Sequence, residues 1–123
     1  MKLAVTAEGK SLDSPVSRRF GKSPFIFVAD TSTRVVRIID NGTFAAQHLG
    51  SGARTAEMLA RLGVEWVATG AIGEESFEIL SSGGIRVVTC ATGTCGEVLD
   101  RLAAGGLEPA MASAPCCPGD EEE

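Results

Sequence analysis

The residues best equipped for chemistry in this 123-residue chain lie in or beside predicted loops. Arg18 and Arg19 are adjacent in a loop rich in serine, proline and glycine. Guanidinium groups suit anions because they are planar, permanently charged and carry several donors. The pair therefore indicates an anion site. Two ordinary roles stay open: a bond from Arg19 to a carboxylate such as Asp13, and simple solvation of Arg18.

The candidate metal ligands are two thiols and the one imidazole. Cys90 ends a predicted strand, and Cys95 lies in the first turn of a predicted helix, where its pKa should fall toward the thiolate that binds metals. His48 precedes a helix, and imidazole suits iron. A buried apolar thiol at Cys90 and a surface position for His48 are the ordinary alternatives. No cysteine pair, including Cys116-Cys117, has the spacing of a structural zinc site.

Apolar runs and capping signals predict an α/β fold. The five predicted strands are 3–7, 25–29, 35–39, 64–69 and 85–90, and the three helices are 53–62, 74–81 and one after the capping box at Thr94 and Glu97. Right-handed crossovers favour a mixed sheet in the order 3-2-1-4-5 with only strand 2 antiparallel. This is the ribonuclease H-like motif. Residues 1–106 form the predicted domain, and 107–123 a disordered acidic tail.

In this sheet several loops meet at the carboxyl ends of the parallel strands, where open α/β sheets bind ligands. Three helix N-termini would point their N–H groups and positive dipole ends there, which attracts anions. Ser14 lies in the loop that carries the arginines, where its simpler role is to order the loop by hydrogen bonds. The glycines that would let the backbone approach a ligand are Gly50, Gly52, Gly70, Gly73 and Gly93.

The composition narrows the function classes. The net charge is −5, and the segment Asp120 to Glu123 supplies four of the acids, which leaves about −1 for the rest (−5 + 4). A nucleic-acid binder would show a basic face instead. Neither a signal peptide nor a membrane-spanning run is expected. We therefore expect a cytoplasmic protein with reduced thiols.

Three segments then carry a family resemblance. They are Ala4-Val5-Thr6 with Asp13-Ser14-Pro15-Val16-Ser17-Arg18-Arg19-Phe20-Gly21, Gly50-Ser51-Gly52 before a helix, and Thr69-Gly70-Ala71-Ile72-Gly73 before Phe77. In order and spacing they resemble the dinitrogenase iron–molybdenum cofactor biosynthesis family of the NifX/NafY type, over about residues 1–104. The resemblance implies a ribonuclease H-like fold that binds or carries iron–sulfur or molybdenum-containing clusters. It also implies partners that assemble or receive the cofactor, and it assigns Arg19 to the anionic groups of a cluster.

Two functions follow from these features. The first is a non-catalytic carrier or scaffold for an anionic metal–sulfur cluster. The alternative is an apo interaction or regulatory module that binds a protein partner and no cluster. A nuclease or phosphotransfer enzyme is disfavoured, because such sites need convergent carboxylates and the first strand, Leu3 to Ala7, contains none. Phe20 is expected to anchor the loop in the core.

Overall fold

The computed structural model describes residues 2–33, 35–41, 51–89, 91 and 93–104. His48, Gly50, Cys90 and the predicted tail lie outside the described residues, so the predictions made for them stay predictions. The element order is the predicted one, with five strands and three helices in the described chain. They are β1 Lys2–Ala7, β2 Phe25–Asp30, β3 Val35–Asp40, α1 Ser51–Arg61, β4 Trp66–Ala68, α2 Glu74–Ser82, β5 Arg86–Val88 and α3 Cys95–Ala104.

The five strands form one mixed sheet in the order β3-β2-β1-β4-β5. β1 pairs antiparallel with β2 and parallel with β4, while β3 pairs antiparallel with β2 and β5 pairs parallel with β4. Only β2 therefore runs against the others, as predicted. β1 is buried from Leu3 to Ala7, because it lies at the centre and is covered on both faces.

Alternation along the strands divides the core into two layers. Ala4 faces α1 and α2, where it packs in a cluster with Leu59 and Leu80. Leu3 and Val5 face α3, in a second cluster. Phe20 is 1% exposed and belongs to the first cluster, which confirms the predicted anchor of its loop.

β4 and β5 begin later than predicted because the residues before them complete helix ends. The N–H of Gly63 donates to Ala60 O and that of Val64 to Leu59 O, which is a Schellman motif at the end of α1. Gly63 has φ 79°, so glycine is favoured at this helix-terminating position. The same motif ends α2, where Ile85 N donates to Leu80 O.

Candidate functional site

The loop between β1 and β2, residues 8–24, lies across the carboxyl edge of the sheet. Three isolated backbone bridges hold it there, and they join Val16 to Ala7, Pro15 to Thr94, and Arg19 to Ala71. The loop therefore runs from the start of α3 to the turn that precedes α2. We call it the arginine loop, because Arg18 and Arg19 stand exposed near its end.

The arginine loop occupies the N-terminus of α3. Cys95 N donates to Ser14 O at 2.9 Å, and Gly96 N donates to Leu12 O at 2.9 Å. These amides are not available to an external anion, so the predicted role of this helix end in anion binding is wrong for α3. Ser14 also accepts a bond from Ser11 N on its own Oγ at 3.2 Å. These contacts give Ser14 its simpler predicted role, the ordering of the loop.

The predicted capping box at the start of α3 is present. Glu97 N donates to Thr94 Oγ1 at 3.2 Å, and Thr94 N donates back to Glu97 Oε1 at 3.0 Å. The bond from the Thr94 backbone holds the pKa of Glu97 below its ordinary value. The helix thus satisfies its next free amide internally, and α3 acts as a support for the loop.

The turn after β4 meets the arginine loop at backbone distance. Gly70 N donates to Ser17 O at 3.0 Å, and Ala71 N donates to Arg18 O at 2.7 Å. A Cβ at Gly70 would lie 2.6 Å from Arg18 Cα and 2.7 Å from Arg18 O. Gly70 is therefore required by this close approach, and its amide serves the loop directly. The loop backbone at Arg18 is fixed against the sheet.

A chain of buried hydroxyl groups ties the same loop to the middle of the sheet. Thr6 Oγ1 lies 2.9 Å from Thr69 Oγ1 and 3.4 Å from Ser17 O. Ser17 Oγ in turn donates to Arg19 O at 3.1 Å. None of the three hydroxyl residues is more than 2% exposed. The sequence analysis missed this chain, although a threonine near the end of each of two apolar strands was a visible signal.

A buried amide links the far end of the arginine loop to α1. Asn41 follows β3 and is 1% exposed. Its Nδ2 donates to Ser23 O at 2.8 Å, and its Oδ1 accepts a bond from Thr55 Oγ1 at 3.2 Å. The sequence analysis did not single out Asn41. In the structure it sets the distance between the arginine loop and the first half of α1.

The first turns of α1 and α2 lie side by side next to the arginine loop. A Cβ at Gly52 would overlap Ser76 Oγ and would lie 3.8 Å from Gly21 Cα. Gly52 therefore serves the packing of the two helices. Gly73 is different, because nothing lies within 4 Å of its Cβ position and it caps α2 without a side-chain bond.

The charges at this end of the molecule are mixed. Arg18, Arg19 and Lys22 of the loop are exposed, and α2 begins with the exposed acids Glu74 and Glu75. Carboxylates oppose an anion at the start of α2, whereas the loop favours one. The part of the edge best suited to an anion is therefore the cationic end of the arginine loop.

Cys95 does not have the predicted properties of a metal ligand. Its side chain is buried, and its Sγ lies 3.9 Å from Thr6 O and 3.8 Å from Pro15 O. Burial, with a smaller effect of Glu8, raises the pKa of Cys95 to about 11. The predicted lowering is wrong, because the side chain points into the core and the protonated thiol is favoured there. Among the described residues, no group of three His, Cys, Asp or Glu could hold a metal ion.

Comparison with known proteins identifies related folds and a family. The profile of the family described as "Dinitrogenase iron-molybdenum cofactor" matches residues 1–105. The apo form of the orange protein from Desulfovibrio gigas is similar, with 32% identity, a TM-score of 0.86, and coverage of 92% of this chain and 95% of that one. No curated protein sequence matches the chain.

Two further structures share the fold. A Thermotoga protein named for NifB and placed in the DUF35 family has 30% identity and a TM-score of 0.76, over 88% of this chain and 91% of that one. A Methanocaldococcus jannaschii protein has 15% identity and a TM-score of 0.66, over 91% of this chain and 96% of that one, which bears on the fold alone.

In the described part of the chain, no helix is long and apolar enough to span a membrane.

Proposed function

This chain belongs to the dinitrogenase iron–molybdenum cofactor family, and from that premise we propose that it is a non-catalytic cytoplasmic carrier of an anionic metal–sulfur cluster. The cluster, of the iron–sulfur or molybdenum-containing class, is its cargo. The observation that carries the proposal is the arginine loop, whose backbone is fixed at the carboxyl edge while Arg18 and Arg19 stand exposed. A positive group held in place at this edge suits an anion and needs no catalytic residue.

The cargo is held without bonds from cysteine sulfur among the described residues. Cys95 is buried and protonated at neutral pH, so it contributes packing and no metal bond. Guanidinium N–H groups of Arg18 and Arg19 donate to the sulfides, and Lys22 adds a third positive charge. Because these side chains are exposed, their attraction for the cargo is moderate and falls with salt. Such binding suits a carrier, which has to release its cargo to an assembly or receiving partner.

The fold gives less support to catalysis. In β1, Thr6 is the only polar residue between Leu3 and Ala7, and its hydroxyl is used within the core. Metal-dependent nucleases and phosphotransferases need several carboxylates that converge on their ions. The arginine loop offers cations instead, so binding is the activity that fits this site.

The proposal is tested by anaerobic addition of tetrathiomolybdate, or of iron and sulfide, followed by desalting, metal analysis and a visible spectrum. We expect the wild-type chain to keep stoichiometric metal with charge-transfer bands. Arg19→Ala should retain it about fivefold to tenfold less tightly, which corresponds to about 1–1.4 kcal/mol for a lost bond between charged groups at an exposed position. Arg61→Ala is the matched control, because Arg61 is also exposed and lies in the last turn of α1.

Each result has a definite meaning. A wild-type chain that stays colourless with every cluster source contradicts the carrier function and favours the interaction module. Equal retention by Arg19→Ala and wild type removes Arg19 from the site. Equal losses in Arg19→Ala and Arg61→Ala would mean that net charge alone governs binding.

A further inference from the structure

β3 is an edge strand of the sheet that the described residues form. Among the described strands it pairs with β2 only, residue by residue from Val35 to Asp40, without a bulge. Alternate N–H and C=O groups of such a strand point away from the sheet, where a further strand can bond to them. Proteins usually protect an edge of this kind with charged side chains, prolines, bulges or very short strands. In its sequence VVRIID, β3 has only the charges of Arg37 and Asp40 among these features.

The side chains of β3 are also unusually exposed for their type. Val35 is 52% exposed, Val36 42% and Ile38 48%. Together with Leu12 they are the exposed large hydrophobic side chains of the described residues. Because successive strand residues face opposite sides of a sheet, Val35 points to one face and Val36 and Ile38 to the other. The apolar surface therefore follows the strand on both faces.

A groove lies beside β3 on each face. The groove on the α1 side has a volume of about 290 Å³ and is lined by Val35, Arg37 and Leu62, among others. The groove on the α3 side has a volume of about 310 Å³, and its lining includes Val36 and Leu99. Both grooves lie over the sheet, inward of the outer backbone of β3. A strand added beyond β3 would extend the apolar surface on both faces, whereas a helix would cover only one face. The geometry therefore fits an extended segment.

The charged residues beside β3 indicate which side chains the occupant should carry. The α1-side groove contains Lys2 and Arg37 with one acid, Asp30, so it favours an acidic side chain opposite Arg37. The antiparallel register that sets Val35 of this chain against Ile39 of a second copy also sets Arg37 against Arg37, and like charges directly opposite destabilise a strand pair. An acidic residue opposite Arg37 is attractive instead, so we take the occupant to be a segment of a different protein.

The edge strand β3 ends close to the proposed cargo site. β3 runs parallel to β1, so its end at Asp40 lies at the carboxyl edge of the sheet. The next residue, Asn41, bonds directly to Ser23 of the arginine loop and to Thr55 of α1. A strand laid along β3 would therefore bring its own protein to the edge where cargo is proposed to bind.

We propose that β3 is the docking strand for a partner protein, which adds an extended segment of alternating apolar residues with an acidic residue opposite Arg37. The occupied surface consists of the outer backbone of β3 and the exposed side chains of Val35, Val36 and Ile38. The docking does not depend on bound cargo, so it is testable on the chain alone, apart from any result for the carrier function.

The experiment uses the isotope-labelled full-length chain, amide NMR and a capped peptide that alternates valine and threonine around one glutamate. We expect saturable shifts confined to Val35–Asp40 and the groove residues, with slower hydrogen exchange at alternate β3 amides. The matched peptide with lysine in place of glutamate should bind roughly threefold to tenfold more weakly, because an attractive cross-strand pair becomes repulsive.

Two variants complete the test. Arg37→Glu should bind the lysine peptide more tightly than the glutamate peptide, which reverses the order of affinities in the wild type. Ile38→Lys should bind both peptides more weakly. Unfolding curves show that each variant is folded. The proposal is overturned if neither peptide binds. It is also overturned if Arg37→Glu binds the two peptides with the same order of affinities as the wild type. Concentration-dependent self-association through Val35–Asp40 in sedimentation experiments would identify a second copy as the occupant and would also overturn it.

Discussion

Replacement of Gly70 by alanine inserts a methyl group into the backbone of the arginine loop. The new Cβ would lie 2.6 Å from Arg18 Cα and 2.7 Å from Arg18 O, distances that real Cβ atoms do not show. The contacted atoms belong to backbone, so they cannot swing aside as a long side chain would. Gly70 is not among the positive-φ glycines of the described chain, so the penalty is steric.

The size of the effect follows from two ways of relieving the overlap. If the loop stays in place, overpacking costs about 1–3 kcal/mol. If the loop moves, the bonds from Gly70 N to Ser17 O and from Ala71 N to Arg18 O are lost, at about 1 kcal/mol each. Alanine also restricts the unfolded chain, which raises the free energy of unfolding by about 0.4–1 kcal/mol. We therefore expect Gly70→Ala to lower the free energy of unfolding by about 1–2 kcal/mol.

The assay is urea unfolding followed by the fluorescence of Trp66, the one tryptophan of the chain, together with tetrathiomolybdate retention. Gly73→Ala is the matched control, because nothing lies within 4 Å of its Cβ position and its φ is −75°. It should stay within about 1 kcal/mol of wild type and keep its cargo, whereas Gly70→Ala should lose part of both. Equal unfolding free energies for the two variants would refute the close approach at Gly70.

Two further predictions concern buried polar groups. Burial raises the pKa of Cys95 from 9.0 to about 11, so its contribution to stability is complete below pH 9 and is lost as pH rises toward 11. The unfolding free energy should fall over that range in wild type and be flatter in Cys95→Ala. Asn41→Ala should cost about 2–4 kcal/mol, because Ser23 O and the Thr55 hydroxyl each lose a buried partner; unchanged urea midpoints would contradict the role of this amide.

Most of the fold was predictable because it depends on local signals and on burial. The run from Leu3 to Ala7 is apolar at most positions, and such a strand belongs at the centre of a covered sheet. Gly63 and the pair Thr94 and Glu97 mark helix ends by mechanisms that need no tertiary information. Strand lengths were less predictable. Val64 and Ile85 are apolar like strand residues, yet their N–H groups bond back to the helices that precede β4 and β5.

The environment of Cys95 was predictable from a signal that the sequence analysis did not use. Val98, Leu99 and Leu102 lie three, four and seven positions later, so Cys95 belongs to the same apolar stripe of α3. Burial on that stripe outweighs the helix dipole, and the thiol pKa rises as a result. A pKa prediction from position in a helix therefore needs the direction of the side chain as well.

The polar contacts of the arginine loop were beyond sequence reasoning, because they join residues far apart in the chain. Thr6 and Thr69 meet only in the parallel register of β1 and β4. Whether α3 would offer its first amides to a ligand also depended on where the loop lies. The carbonyls of Leu12 and Ser14 reach those amides first. Helix ends predicted from sequence are therefore candidates for internal as well as external partners.

At this site the loop backbone provides rigidity, and the arginine side chains are the groups proposed to bind. The first amides of α3, the Gly70 turn and the Thr6 hydroxyl chain fix the loop backbone before any ligand arrives. The entropy of ordering that backbone is therefore spent during folding and does not weaken the capture of cargo. The exposed side chains of Arg18 and Arg19 supply the positive charge. If the chain carries the proposed cargo, selection among anions depends on charge and size more than on a preformed cradle of amides, and affinity should fall as ionic strength rises.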